Sequence, residues 1–445
     1  MSAFASSRND PVARRAGERP AAFSRLGLAL LVLLSVVEFV LLALWQRNGY
    51  WDFSDGAYAQ SAREFVHGLV PYRDFAAAQP PPVYLVGALL LSLHDGLASL
   101  RAGMALFDLI TAALVGAAVW RLSGLRWLAV ASAAAAPLLP VSLHEHALLM
   151  PETLAAPLLL GGAILGARRE SAFAAGLLLA LAAWCKLAFV IPALAIALVA
   201  ISRRRTLLSL VVAGAGLAAL SLGLFGAGVW REAVHAQLQV GSASLHHVGG
   251  LLAQAIWSEL VLLIGAAAAL WLGFSGRAPV ADRALMRTLV AAAGAALILV
   301  LTVFKRGSYI NVLVIAEPPL LALAACGAAW VFPRGMAWRL AVLGLTTLLG
   351  LESLSLLISP GDPWAAKRPG AQSGLAWSAG PASVDRAVSA ARRCPAGVAY
   401  SGDPYYAFLA GRRMPGQQPD LFILANAPVD GAFAARAARD RPRCP

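Results

Sequence analysis

Trp51-Asp52-Phe53-Ser54-Asp55-Gly56-Ala57-Tyr58 sets two carboxylates directly after the first long apolar run of the chain. An ionisable group at the edge of hydrocarbon is costly unless it is solvated, paired or used, which makes Asp52 and Asp55 candidates for chemistry. The same stretch continues through Arg63, Glu64, His67, Tyr72, Arg73 and Asp74 to Pro80-Pro81-Pro82 and Tyr84, and no other loop is as dense in polar and aromatic groups. Asp55 also opens a helical stretch, Gly56 to Gly68, and a carboxylate there can serve simply as an N-cap. The membrane edge and the surrounding cluster tip the choice toward function.

Other residues carry complementary chemistry. Glu152 stands alone after Met150-Pro151 in an apolar stretch. Paired with Asp55, and with Asp52 in support, it could hold a divalent cation or orient an acceptor, because hard cations take oxygen ligands. Lys186, between two short apolar runs, can snorkel to the interface, and the same position suits the counter-charge of a lipid-linked phosphate. Lys305-Arg306-Gly307-Ser308-Tyr309 brings two cations and a phenol to the side where basic residues are otherwise scarce, so something anionic should compensate them. His144-Glu145-His146 resembles a metal motif, but histidines at i and i+2 share no helix face and a third ligand is not evident, so it reads as a wet interfacial loop. Glu38, Asp108 and Glu317 fall inside apolar runs, where they either line a polar cavity or pair between helices.

The elements that must position these groups follow from composition. In 445 residues, 59% are hydrophobic and 13% charged, with a mean hydropathy of +0.70, which leaves too little polar surface for an ordinary soluble domain. The chain reads as mainly α, a polytopic membrane helical bundle. The net charge of +13 sits mostly in short gaps between apolar runs, a pattern of membrane topology rather than of nucleic-acid binding. Residues 1–25 form an arginine-bearing cytoplasmic head, and Leu26 to Trp45 reads as a retained signal anchor running outward. Residues 46–101 form the first external loop, in which Val83 to Leu93 is too short to span and is assigned as an interfacial helix.

The remaining runs are Ala102 to Leu122, Trp127 to Leu143, Thr153 to Ala167, Phe173 to Trp184, Leu187 to Ile201, Leu207 to Val229, Leu260 to Phe274, Leu289 to Phe304, Val312 to Phe332 and Leu340 to Ile358. With the first run they give about 11 spans in residues 26–358, with a second external loop from Trp230 to Glu259. The N-terminus lies inside and the tail outside, in a cell inner or plasma membrane. Residues 359–445 lose the long apolar runs and read as a small extracytoplasmic α/β appendage, with a strand over Gly397 to Tyr400 and a helix over Pro404 to Leu409 opened by Asp403. Cys394 and Cys444 in that appendage can pair if it lies outside the cell.

The order of these features resembles the GT-C superfamily of polytopic glycosyltransferases, in particular the branch of protein mannosyltransferases and aminoarabinose transferases, glycosyltransferase family 39. The similar motifs are Asp55-Gly56-Ala57-Tyr58 through Ala62-Arg63-Glu64, Pro80-Pro81-Pro82-Val83-Tyr84, Met150-Pro151-Glu152-Thr153-Leu154, Trp184-Cys185-Lys186, and Lys305-Arg306-Gly307-Ser308-Tyr309 followed by Glu317-Pro318-Pro319. They cover residues 20 to about 360. Two positions depart from the family pattern: Gly56 stands where a second acid is usual, and Glu152 where Asp is. The resemblance implies transfer of a sugar from a polyprenyl-phosphate carrier to an acceptor hydroxyl of a lipid, glycan or protein on the outer face, with inversion. It makes Asp55 the general base, and Lys186, Tyr309, Lys305 and Arg306 the site of the departing phosphate. Arg63 would position Asp55 or the donor.

Two other classes fit the sequence less well. A transporter or lipid flippase concentrates polar residues at the membrane midplane, whereas here they gather at the outer rim. A binding scaffold would leave Asp55, Lys186 and Tyr309 unexplained as a set.

Overall fold

The computed structural model describes residues 53–331 except 279, residues 381–444 except 396, 441 and 442, and positions 29, 33 and 37 of the first apolar run. Asp52, Glu38 and the final predicted span, Leu340 to Ile358, lie outside the described residues.

The segment predicted as the first external loop opens with helix α1 (Phe53–Val66), which ends where Gly68 takes a φ of +91°. Helix α2 (Pro82–Leu93) starts on the proline run, and at 12 residues it covers only about 18 Å, short of the hydrocarbon thickness. Helix α3 (Leu97–Ser123) has 27 residues, about 40 Å, and stops at Gly124 with a φ of 70°. It begins before the expected end of the external loop, so Arg101 sits in its opening turns.

Prolines divide the next predicted span. Trp127 to Leu143 is not a single helix: α4 (Arg126–Ala135), a 3-10 turn (Ala136–Leu138) and α5 (Pro140–Glu145) replace it, because Pro137 and Pro140 each remove a backbone donor. Helix α6 (Pro151–Gly166) is buried along almost its whole length between α3, α7 (Ala172–Cys185) and α11 (Arg283–Ile298). Helices α8 (Val190–Val199) and α9 (Arg203–Phe225) follow.

The second external loop is shorter than predicted. A π-helical turn (Trp230–Ala236) precedes α10 (Leu245–Phe274), whose 30 residues extend some 45 Å and therefore protrude beyond the apolar layer. Its polar beginning, His246-His247 after the Ser244 cap, hid it from hydropathy. Likewise the span predicted from Val312 starts as a 3-10 segment (Ile310–Ile315) and becomes α12 (Glu317–Val331) only afterward.

Among the described residues, four helices are long and apolar enough to cross a membrane: Leu97–Ser123, Arg203–Phe225, Leu245–Phe274 and Arg283–Phe304. Shorter apolar helices, α6 to α8 and α12 among them, pack between them. Small residues allow close contact: a Cβ on Gly327 would fall 2.1 Å from the Gly265 carbonyl oxygen, so α10 and α12 touch backbone to backbone. The outward faces of α9 (Leu208, Val211, Leu220) and α10 (Ile256, Ile264, Trp271) are exposed and apolar, as a lipid-facing surface requires.

The tail comprises α13 (Pro381–Arg392), strand β1 (Ala399–Tyr400) paired in parallel with β2 (Arg443–Cys444), and helices α14 (Pro404–Ala410), α15 (Leu421–Asn426) and α16 (Gly431–Arg439). Asp403 caps α14 by accepting the Tyr405 N–H at 2.8 Å. A disulfide joins Cys394, after α13, to Cys444 on β2 across 50 residues. The chain-entropy model assigns a loop of that length about 4 kcal/mol. The double variant Cys394→Ser/Cys444→Ser should therefore lose most of the tail's stability while the membrane helices stay folded. Urea-dependent proteolysis of the tail measures this.

Candidate active site

Asp55 sits in the first turn of α1, and its carboxylate is clasped by Arg101 from α3. Nη1 donates to Oδ1 at 2.9 Å and Nη2 to Oδ2 at 2.6 Å, a fork on a carboxylate in which both side chains are almost fully buried. The Leu149 N–H donates to the same Oδ1 at 2.9 Å, and Arg101 Nη1 also reaches the Ala147 carbonyl at 3.1 Å. Lower on α3, Asp108 accepts the Ala147 N–H at 2.9 Å and faces His146 Nδ1 at 3.1 Å. The strap from His146 to Met150, which enters α6, is thus held on one side by α1 and on two levels by α3. Ala147 carries a φ of 58°, a left-handed conformation that a residue with a side chain keeps only under constraint.

A second cluster lies at the N-terminus of α6. Glu152, fully buried, pairs with Lys186 Nζ at 2.5 Å, and Lys186 occupies the extended position between α7 and the turn leading to α8. Lys305, after α11, donates to Gln237 Oε1 at 2.7 Å. Its loop is fixed to residues 241–243 by two backbone bonds, Arg306 N–H to Gly241 O and Ala243 N–H to Phe304 O, each 2.8 Å. Burial pushes the Lys305 ammonium down to about 8, and the charge of nearby Lys186 adds to the shift. Gln237 Nε2 is buried and finds no acceptor. Two ammonium groups, one carboxylate and an unused amide N–H make a locus short of negative charge.

The structure brings the predicted residues together in pairs other than those expected. The expected Asp55–Glu152 cation site is not assembled, since each carboxylate faces its own cation, and among the described residues no group of three His, Cys, Asp or Glu side chains is placed to hold a metal ion. Arg63 does not reach Asp55. It bonds Asp95 at 2.9 Å, stacks on Phe408 at 3.8 Å and donates to the Phe408 carbonyl at 2.5 Å, serving the tail interface instead. Arg306 is exposed beside the tail, with Asn426 at 3.5 Å, and Tyr309 is half-buried at the start of the 3-10 segment Ile310–Ile315. The His144-Glu145-His146 loop is buried rather than wet, because Asp108 and Glu145 supply partners for the imidazoles. Asp108, Thr111, Ser142, His146, Val314 and Pro318 line a small cavity of about 20 Å³. Glu317 accepts the Val141 and Ser142 N–H groups at 2.8 and 2.7 Å and hydrogen-bonds Glu259, joining α12, α5 and α10.

Arg101, Gln237 and Tyr405 were not singled out from sequence. Arg101 looked like the mere end of a loop, Gln237 sits in an unremarkable polar stretch, and Tyr405 comes from the tail. The Tyr405 hydroxyl accepts a hydrogen bond from Arg101, and burial pushes its phenol up to about 12.

The arrangement of helices is also found in a solved structure. The chain overlaps the crystal structure of ArnT from Cupriavidus metallidurans bound to undecaprenyl phosphate over 88% of its own length and 86% of that chain, with a TM-score of 0.62 and 16% identity. The chain shares the fold of that protein. The apo-state ArnT structure overlaps 86% of this chain and 84% of that one, with a TM-score of 0.58 and 16% identity. The oligosaccharyltransferase of Archaeoglobus fulgidus, tethered with an acceptor peptide, overlaps 91% of this chain and 68% of that one, with a TM-score of 0.48 and 12% identity. No family model and no curated protein matches the sequence. At such identity the likeness concerns the path of the helices, and the chemistry has to be argued from this chain's own side chains.

Lys305 provides a pH test. The group holds its proton below about 8 and loses it above, so attraction for an anion should weaken as pH rises through that value. Binding of sulfate, whose own charge does not change in this range, to the purified protein should decline between pH 7 and 9, and Lys305→Arg should flatten the decline; identical profiles would show that Lys305 plays no part in anion binding.

Proposed function

We propose that the protein transfers a sugar from a polyprenyl-phosphate donor to an acceptor hydroxyl at the extracytoplasmic face of the membrane. The observation that carries this reading is the Lys186–Lys305–Gln237 locus within an ArnT-like arrangement of helices: two neighbouring ammoniums of which only Lys186 has a carboxylate, Glu152, with an amide N–H that lacks an acceptor beside Lys305. A phosphate monoester dianion would balance the charge and take the free donor. Lipid-facing helices beside it suit the polyprenyl tail. Tyr309, on the same loop as Lys305, and Arg306 remain candidates for the donor phosphate, and Asp52 for acceptor support.

In the proposed reaction the acceptor oxygen attacks the anomeric carbon from the side opposite the phosphate. A C–O bond forms as the bond to the phosphate oxygen breaks, the hydroxyl proton passes to Asp55, and polyprenyl phosphate departs with the electron pair, held by Lys186 and Lys305. This inverts the anomeric centre. The disulfide in the tail supports an external tail and therefore an N-terminus inside, because such bonds persist in oxidising compartments.

One observation favours a second role for Asp55. It is closed in by Arg101 and Leu149, so the described conformation offers an acceptor no open path to it, and the base role requires movement of the strap. On the alternative reading Asp55 is a structural clamp and the proton goes elsewhere.

The two roles separate on Asp55→Asn. In either role the substitution leaves Arg101 as a buried unpaired charge and costs several kcal/mol of stability. As a base, Asp55 is needed for chemistry, so the fraction of the variant that folds and binds undecaprenyl phosphate should make no product; if Asp55 is only a clamp, that folded fraction still makes product. Mass spectrometry of envelope glycans and glycoproteins from cells with and without the gene identifies the product, and thermal unfolding of the purified variant reports the loss of stability. Normal product from Asp55→Asn ends the base assignment. Lys186→Ala should weaken undecaprenyl phosphate binding on the order of tenfold, the worth of one charge-assisted hydrogen bond.

A further inference from the structure

The tail domain lies on the first external segment at points spread along α1 and the loop beyond it. Gln60 donates to the Arg412 carbonyl at 3.3 Å, Gln418 accepts the Ala76 N–H at 3.0 Å and donates to the Asp74 carbonyl at 3.2 Å, and Arg436 donates to the Arg73 carbonyl at 3.2 Å. Ala76 and Ala78 share a buried cluster with Ile423 and Phe433. At the centre of this interface α14 crosses α1 with no space between: a Cβ on Gly56 would lie 2.5 Å from the Tyr405 nitrogen. That approach carries the Tyr405 ring inward, where it is completely buried and its hydroxyl meets Arg101.

The Arg101 guanidinium is oriented by acceptors from three separate parts of the chain: Asp55 on α1, the Ala147 carbonyl on the strap and the Tyr405 hydroxyl on the tail. Its Nε finds no acceptor. A planar fork can tilt about its remaining contacts when one is lost, and a tilt would misdirect the carboxylate it holds. We propose that Tyr405 is a positioning residue for transfer, its hydroxyl fixing the Arg101 fork against Asp55, which makes the C-terminal domain a component of the active site. This rests on the transferase reading with Asp55 as base. The phenol stays protonated because it is buried, so its contribution is orientation and it passes no charge.

Tyr405→Phe keeps the buried ring and the backbone contact with Gly56 and deletes only the hydroxyl. In the full-length protein it should leave the tail as resistant to trypsin as in the wild type and leave binding of undecaprenyl phosphate unchanged, while lowering the envelope product on the order of tenfold, as a small misplacement of a reacting group does. Gln418→Ala is the control for docking: it cuts two tail bonds away from Arg101, so it should raise tryptic sensitivity with a smaller loss of product. In an Arg101→Lys background, which has no fork to orient, Tyr405→Phe should cost nothing more.

Full product from Tyr405→Phe, beside an inactive Asp55→Asn, overturns the inference and leaves the transferase reading standing. So does a product loss that merely follows tryptic sensitivity across Tyr405→Phe and Gln418→Ala, or a full additional loss in the Arg101→Lys background. Full product from Asp55→Asn removes the reading on which the inference rests.

Discussion

A carboxylate and a guanidinium have been taken almost wholly out of water where the outer segments meet the bundle, and the geometry around them follows from that. Desolvation of such ions costs several kcal/mol each, and attraction offsets it only when the fork is well aligned and the remaining donors and acceptors find partners. Asp55 and Arg101 meet the requirement by drawing in the backbone of the strap: Ala147 lends a carbonyl and Leu149 an N–H. The strap then has little freedom, and Ala147 holds a left-handed conformation whose typical cost is 1–3 kcal/mol. Because the strap leads straight into α6, the ion pair also sets where Glu152 begins that helix.

The second cluster obeys the opposite logic. Glu152 satisfies Lys186, but Lys305 has only an amide oxygen, and the Lys186 charge adds to the cost of its burial. Between the Lys305 value of about 8 and its unfolded value of 10.5 the unfolded chain binds more protons, so in the empty protein this group gives stability that rises with pH across that window. Below the window the folded site carries a charge it would be better without. An arrangement that disfavours the empty, protonated site is what an anion-binding locus needs, and a purely structural lysine would be expected to have acquired a carboxylate. The contrast between a closed, balanced pair and an open, positive locus is the main electrostatic feature of the described residues.

Much of this was legible in sequence, but unevenly. Asp55, Glu152, Lys186 and Lys305 stand out because charge is rare in a chain that is 13% charged, and each occupies the end of an apolar run. Their partners did not stand out, because pairing joins residues 34 to 68 positions apart and leaves no local pattern. Hydropathy located helix α2 well, since the proline run marks its start, but mistook α4 and α5 for one span because it counts apolar residues and not missing donors. It also missed the first turns of α10, where paired histidines mask a helix that rises beyond the apolar layer. Arg63 misled for a related reason. Eight residues from Asp55, it looked like that residue's natural partner, yet α1 turns it toward Asp95 and the tail.

Gly56, which departs from the motif the sequence resembles, carries structural information: this chain has no side chain there, and the backbone of Tyr405 occupies the space. An acid there would have to displace α14, and with it the hydroxyl on Arg101. An acid at position 56 and the docked tail therefore exclude each other by volume. The C-terminal domain fills the space that a side chain at position 56 would take, and the rim of the membrane bundle, read without that domain, is incomplete.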